Sequence, residues 1–134
     1  MRYLLDTCTL MWALTDETRI ADSARDILWE SKNSVFASMS SFIEIGIKTS
    51  LGKLSMNGIT LEMFPELLDT LHIELIAIEP EDCYKLSVLN QKVRHRDPFD
   101  RLIISQAINR KMILISPDKM FLEYEPDGLN LIWD

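Results

Sequence analysis

Short apolar runs alternate along the chain with segments whose apolar residues recur at helical spacing. Residues 2–5 (RYLL) form a brief apolar run that ends at Asp6 and reads as a first strand. TCTLMWALT (7–15) carries Leu10, Ala13 and Leu14 on one helical face, and ADSARDILWESK (21–32) does the same with Ala24, Ile27 and Leu28. SVFA (34–37) is the next strand. SSFIEIGIKTSLGKL (40–54) reads as a helix closed by Gly52, a residue type suited to the C-cap. TLEMFPELLDTL (60–71) is a helical stretch that Pro65 starts or interrupts. IELIAI (73–78) makes the third strand and EPEDCYKLSVLNQK (79–92) a further helix. HRDPFDRLIISQA (95–107) opens another, with Asp97 as N-cap and Pro98 at the first helical position. MILIS (112–116) is a strand, DKMFLEY (118–124) a short helix, and LNLIWD (129–134) holds a last strand.

Strands that alternate with helices imply an α/β fold: a mostly parallel central sheet of four to five strands flanked by helices. With 134 residues and neither repeat nor linker, the chain is expected to form one domain over residues 1–134. In such sheets the functional crevice lies beyond the carboxyl ends of the strands. No apolar run approaches the roughly 18 residues of a membrane span, and MRYLLDT leaves no room for a signal peptide. Cys8 and Cys83 are too few for a disulfide scaffold and read as small buried residues. The expected compartment is therefore the cytoplasm. A net charge of −7 argues against nucleic-acid binding through a general basic surface, but not against a local basic patch beside an acidic site.

Four acids occupy comparable places. Asp6 follows the first strand and Asp118 follows another, while Glu44 and Asp100 sit early in helices. If the strands are parallel neighbours, the four converge on one rim. Each also has a purely structural reading: Asp6, Asp97 and Asp118 as helix caps, Ser41 with Glu44 as a capping box, and Glu44 with Lys48 as a helical ion pair. Taken together they point to more. Carboxylates about 5 Å apart repel by on the order of 3 kcal/mol per pair at an effective dielectric near 20, so a cluster requires a cation or protonation. An all-oxygen set suits Mg²⁺ or Mn²⁺. Zinc would want histidine or cysteine, and the chain has only His72 and His95. There is no Gly-rich phosphate loop and no legible Ser-His-Asp or Cys-His set, which leaves metal-assisted hydrolysis of a phosphodiester.

LLDTCTLMWAL, SSFIEIGIKTSLGKL, HRDPFDRLIISQA and ISPDKMF, in this order and at these intervals, resemble PIN-domain proteins of the VapC-like toxin type across nearly the whole chain. The resemblance implies a Mg²⁺- or Mn²⁺-dependent endoribonuclease, the toxin half of a type II toxin–antitoxin pair. It also implies an RNA substrate, a cognate antitoxin protein and a homodimer. Asp6, Glu44, Asp100 and Asp118 match the family's acidic quartet, as catalytic residues and metal ligands. Asp97 and Ser116 support them, and Arg96, Arg101, Lys48 and Lys53 are candidates for phosphate contact. Two departures from the pattern are Cys8, where a histidine is usual, and Pro117, which intervenes between Ser116 and Asp118. Two other readings use the same residues. One is a catalytically silent module of the same fold. The other is an aspartyl-type phosphatase built on Asp6, disfavoured because Cys8 stands where that chemistry wants an acid.

Overall fold

The computed structural model describes residues 1–92 and 97–134. Its described strands are β1 (Arg2–Leu5), β2 (Ser34–Ser38), β3 (Ile73–Ile76), β4 (Ile113–Ile115) and β5 (Asn130–Ile132), paired in the order β3-β2-β1-β4-β5. Every pairing is parallel, with Tyr3 level with Val35 on one side and with Ile113 on the other. The expected α/β sheet is thus present, and every strand found in the sequence is in it.

Because successive side chains on a strand face opposite ways, each strand feeds two cores. Tyr3 and Leu5, Val35 and Ala37, and Ile115 pack on one face with Leu10 of α1 (Thr7–Thr15), Ala24 and Leu28 of α2 (Asp22–Trp29), Ile45 of α3 (Met39–Ser50), and Phe64 and Leu68 of α4 (Phe64–Thr70). Leu4, Ile76 and Leu114 pack on the other, with Leu89 after α5 (Pro80–Val88) and with Ile103, Ile104 and Ala107 of α6 (Pro98–Asn109). Phe121 and Tyr124 of a 3₁₀ segment, Lys119–Asp127, complete that face. Both faces of the central strands are therefore buried, which is why their sequences read as continuous apolar runs.

Local chemistry sets the helix ends. At the end of α3, Gly52 takes φ +69° and donates to the Thr49 carbonyl while Lys53 donates to that of Lys48, a Schellman closure. The start of α3 differs from expectation. Ser38, not Ser41, is the N-cap and accepts from the Ser40 amide, so no capping box joins Ser41 to Glu44. Helix α5 is tied to α6 by Asp82, which is fully buried. Arg110 donates to both of its oxygens, at 2.6 and 3.2 Å, and Gln106 and Asn109 add further bonds. Burial alone would raise the Asp82 carboxyl, but these donors and the Glu79 amide outweigh it and hold the group at about 2. Among the described residues, no helix is long and apolar enough to cross a membrane.

The chain builds outward from β1 to β2 and β3, then returns to add β4 and β5 on the other side. The strand order reverses between β1 and β4, and a crevice opens at the carboxyl ends of those two strands. Asp6 follows β1, and Ser116 to Asp118 follow β4.

Candidate active site

Asp6 is the N-cap of α1, and its Oδ1 accepts from the Thr9 amide at 2.8 Å. Its other oxygen, Oδ2, accepts from the Ser116 hydroxyl at 2.6 Å. The same Ser116 oxygen accepts from the Asp118 amide at 3.1 Å, so one buried hydroxyl fixes both acids across the β1–β4 boundary. Asp118 in turn caps the 3₁₀ segment through Met120. Pro117 does not turn Asp118 away, because both line the same cleft as Asp6.

Asp97 caps α6, and its Oδ1 accepts from the amides of Phe99 and Asp100. That fixes the first turn, where Asp100 sits. A bond from the Ser40 hydroxyl to the Phe99 carbonyl, 3.1 Å, holds the same turn against α3. Thr7 and Ser41 share a 2.9 Å hydroxyl–hydroxyl bond that joins α1 to α3. The sequence offered Ser41 only as a helix cap, and none of these hydroxyls as a link between helices. The one signal they left was that each lies within a few residues of an acid.

Asp6, Glu44, Asp97, Asp100 and Asp118 all line one cleft of about 500 Å³, together with Lys48 and Lys53, Thr7, Cys8 and an apolar wall that includes Met11, Leu54 and Phe121. The electrostatics follow from that crowding. Asp100 is pushed up to about 7, first by burial and then by the charges of Asp97, Glu44, Asp6 and Asp118. Asp6 is also raised by burial, against hydrogen bonds from Ser116 and Thr9 that lower it. Lys48 is raised by its 2.7 Å bond to Glu44 Oε2. The thiol of Cys8 is raised to about 11 by burial and by neighbouring Asp6.

The donor set fits a hard divalent cation. Glu44 lines the cleft and is buried, and among the described residues its Oε1 has no hydrogen-bond partner, a buried acceptor left unsatisfied. The surrounding ligands are carboxylate oxygens, the type Mg²⁺ and Mn²⁺ prefer. Among the described residues no three acids already form a tight ligand group, so water would fill part of the shell, as Mg²⁺ favours.

Two expectations are corrected. Arg101 cannot contact phosphate: it is 7% exposed, and its guanidinium donates to the carbonyls of Leu89 and Asn90 and to the Tyr124 hydroxyl. A planar, permanently charged group with several donors suits such a carbonyl clamp. Cys8 and Cys83 are exposed rather than buried. Met11 and Trp12 are only partly covered, and Trp12 packs on Trp133 with ring centroids 6.0 Å apart while Arg19 lies over its face. His95 and Arg96 lie outside the described residues.

Comparison with known proteins agrees with this fold. No curated protein matches the chain in sequence. Among solved structures, VapBC2 from Rickettsia felis, bound to a DNA fragment from its promoter, superposes with a TM-score of 0.69 at 19% identity, covering 100% of both chains. VapBC-1 from nontypeable Haemophilus influenzae gives 0.67 at 18% identity over 98% of this chain and 97% of that one. VapBC-5 from Mycobacterium tuberculosis, described as a member of the VapBC family of toxin–antitoxin systems, gives 0.55 at 19% identity over 99% and 98%. At these identities the likeness establishes the fold. The family follows from the sequence itself: the PIN domain model matches residues 3–125, and the chain belongs to the PIN domain family.

Proposed function

We propose that this protein is a Mg²⁺- or Mn²⁺-dependent endoribonuclease and the toxin half of a type II toxin–antitoxin pair, working in the cytoplasm as a homodimer held in check by an antitoxin protein. The observation that carries the nuclease reading is the meeting of Asp6, Glu44, Asp100 and Asp118 in one cleft at the point where the strand order reverses. The toxin role draws on the toxin–antitoxin system named for the M. tuberculosis structure.

Asp6 and Asp100 would hold the principal ion, directly or through water, with Asp118 completing the shell. When bound, the ion supplies an acidified water and neutralises charge on the non-bridging and leaving oxygens of the phosphate. Glu44, whose buried Oε1 has no partner among the described residues, orients the attacking water and accepts its proton. Ser116 keeps Asp6 in register, and Asp97 keeps Asp100 in register by fixing the first turn of α6. The cut leaves a 5′-phosphate and a 3′-hydroxyl. Lys48 and Lys53 are the described basic side chains on the cleft that can meet the RNA backbone.

The test is cleavage of RNA by purified protein with Mg²⁺ or Mn²⁺, with and without chelator, beside Asp6→Asn and Asp100→Asn. Both variants are expected to fold and to lose cleavage. Full metal-dependent cleavage by either would overturn the assignment. A folded wild type that binds the ion but cleaves no RNA would favour the silent module instead.

A further inference from the structure

Glu44 and Lys48 stand one turn apart on α3, yet their surroundings are unlike. The Glu44 side chain is 7% exposed and fixed, whereas that of Lys48 is 50% exposed. The ammonium reaches inward to Glu44 Oε2 at 2.7 Å, while Glu44 Oε1 is buried without a partner among the described residues. Lys48 thus supplies the hydrogen-bond partner of one Glu44 oxygen and leaves the other without one among the described residues. It stands within the field of Asp97 and Asp100 as well.

We propose that Lys48 is the resident counter-ion of Glu44, that a divalent cation entering the cleft displaces it, and that the freed ammonium then engages an RNA phosphate. This rests on the nuclease reading above and adds an order of events to it. Two cations cannot share one buried carboxylate without repelling each other strongly, and the divalent ion gains attraction from four further acids on the same cleft. Lysine is the side chain suited to leave, with a compact charge on a flexible four-carbon stem that is here already half in solvent. Until the metal arrives, the pair lowers the cost of burying Glu44. Afterwards the same lysine is a mobile positive charge at the mouth of the cleft, which suits a phosphate backbone.

The experiment is a Mn²⁺ titration of wild type, Lys48→Met, Glu44→Gln and the double variant, with free Mn²⁺ read by electron paramagnetic resonance. Lys48→Met should bind Mn²⁺ at least threefold more tightly than wild type, and the double variant no more tightly than Glu44→Gln. Lys48→Gln takes the place of Lys48→Met if the latter fails to fold. In the wild type, the ¹³C-dimethyl resonance of reductively methylated Lys48 should move when Mg²⁺ is added. With Mg²⁺ present, Lys48→Met should bind a short single-stranded DNA, used as an uncleaved phosphate backbone, several-fold more weakly. Equal Mn²⁺ affinity in wild type and Lys48→Met would overturn the proposal. So would a tightening by Lys48→Met that persists undiminished in the Glu44→Gln background, or an unmoved Lys48 resonance. Those results would leave the nuclease reading standing, whereas a wild type that binds no Mn²⁺ would undo both.

Discussion

Replacing Asp100 by asparagine should stabilise the metal-free protein, and the size of the gain should depend on pH. Asparagine keeps the shape of the side chain and removes its charge from a cleft shared with Asp97, Glu44, Asp6 and Asp118. In the folded chain the Asp100 carboxyl titrates at about 7, against 3.8 ordinarily. Between those values the folded chain holds a proton that the unfolded chain has lost, so stability falls as pH rises from about 4 to about 7. At about 1.4 kcal/mol for each tenfold difference in proton affinity, the full displacement corresponds to about 4 kcal/mol. Asp100 is only partly buried, and water and side-chain relaxation screen it, so about 2–3 kcal/mol is the expected gain above pH 8. That corresponds to roughly 6–10 °C in melting temperature for a chain of this size. Chemical denaturation of both proteins with chelator at pH 4, 5, 6, 7 and 8 measures the difference, which should shrink towards zero at pH 4. Adding Mg²⁺ at pH 8 should raise the wild type and leave the variant nearly unmoved. A variant no more stable than wild type at pH 8, or a gap that does not change with pH, would refute the account of the cleft as a site where buried carboxylates crowd one another.

Other expectations follow from single contacts. Ser116→Ala leaves Asp6 Oδ2 and the Asp118 amide without their shared partner, and should cost about 1–2 kcal/mol of stability and weaken Mn²⁺ binding, measured by denaturation and titration. Asp82→Asn removes the charge that Arg110 grips, and should destabilise the α5–α6 pairing by about 2–3 kcal/mol. Because Asp82 lies outside the cleft, cleavage per folded molecule should be unchanged. Arg101→Met should lower the melting temperature yet leave the salt dependence of RNA binding as it was, since its guanidinium is spent on protein carbonyls. Iodoacetamide mapping at pH 8 should find the Cys8 thiol slow to react despite its exposure, because it sits at about 11, and faster once Mg²⁺ offsets the neighbouring carboxylates.

The sequence carried most of the fold because the two faces of this sheet are both covered. RYLL, SVFA and MILIS could be read as strands from their continuous apolar character, and the helices between them from apolar spacing and from Gly52 and Pro98 at their ends. Glu44 was placed on the correct helix, but the capping box offered for it is not formed. Ser41 and Glu44 have the spacing of a capping box, but Ser38 starts the helix three residues earlier, and the hydroxyl of Ser41 bonds to Thr7 instead. A capping motif is local, whereas the choice among three nearby serines depended on where β2 ends in the sheet. Arg101 failed for a related reason. Its neighbours in sequence are Asp100 and the site, but a residue one position along a helix is turned by about 100°, which carried its side chain towards Tyr124 and the loop after α5. Proximity in sequence to an acid of the cleft says little about which way a helical side chain points.

Capping and metal binding looked like competing explanations for the same acids, and on the proposed reading the geometry lets one arrangement serve both. Asp6 gives Oδ1 to the start of α1, Asp118 gives Oδ1 to the 3₁₀ segment, and Asp97 gives Oδ1 to α6. Each of these elements therefore points its positive end towards the cleft, which offsets part of the repulsion among carboxylates that would otherwise unfold the rim. The crowding of carboxylates that remains is felt most by Asp100, which lies inside the first turn rather than at its cap, and Glu44 keeps one buried oxygen without a hydrogen-bond partner among the described residues. Caps held by short backbone bonds cannot relax away from one another, so the leftover charge stays where β1 and β4 part. On the proposed reading, a fold that anchors its acids by helix ends would make the cleft ready for a divalent cation before one arrives.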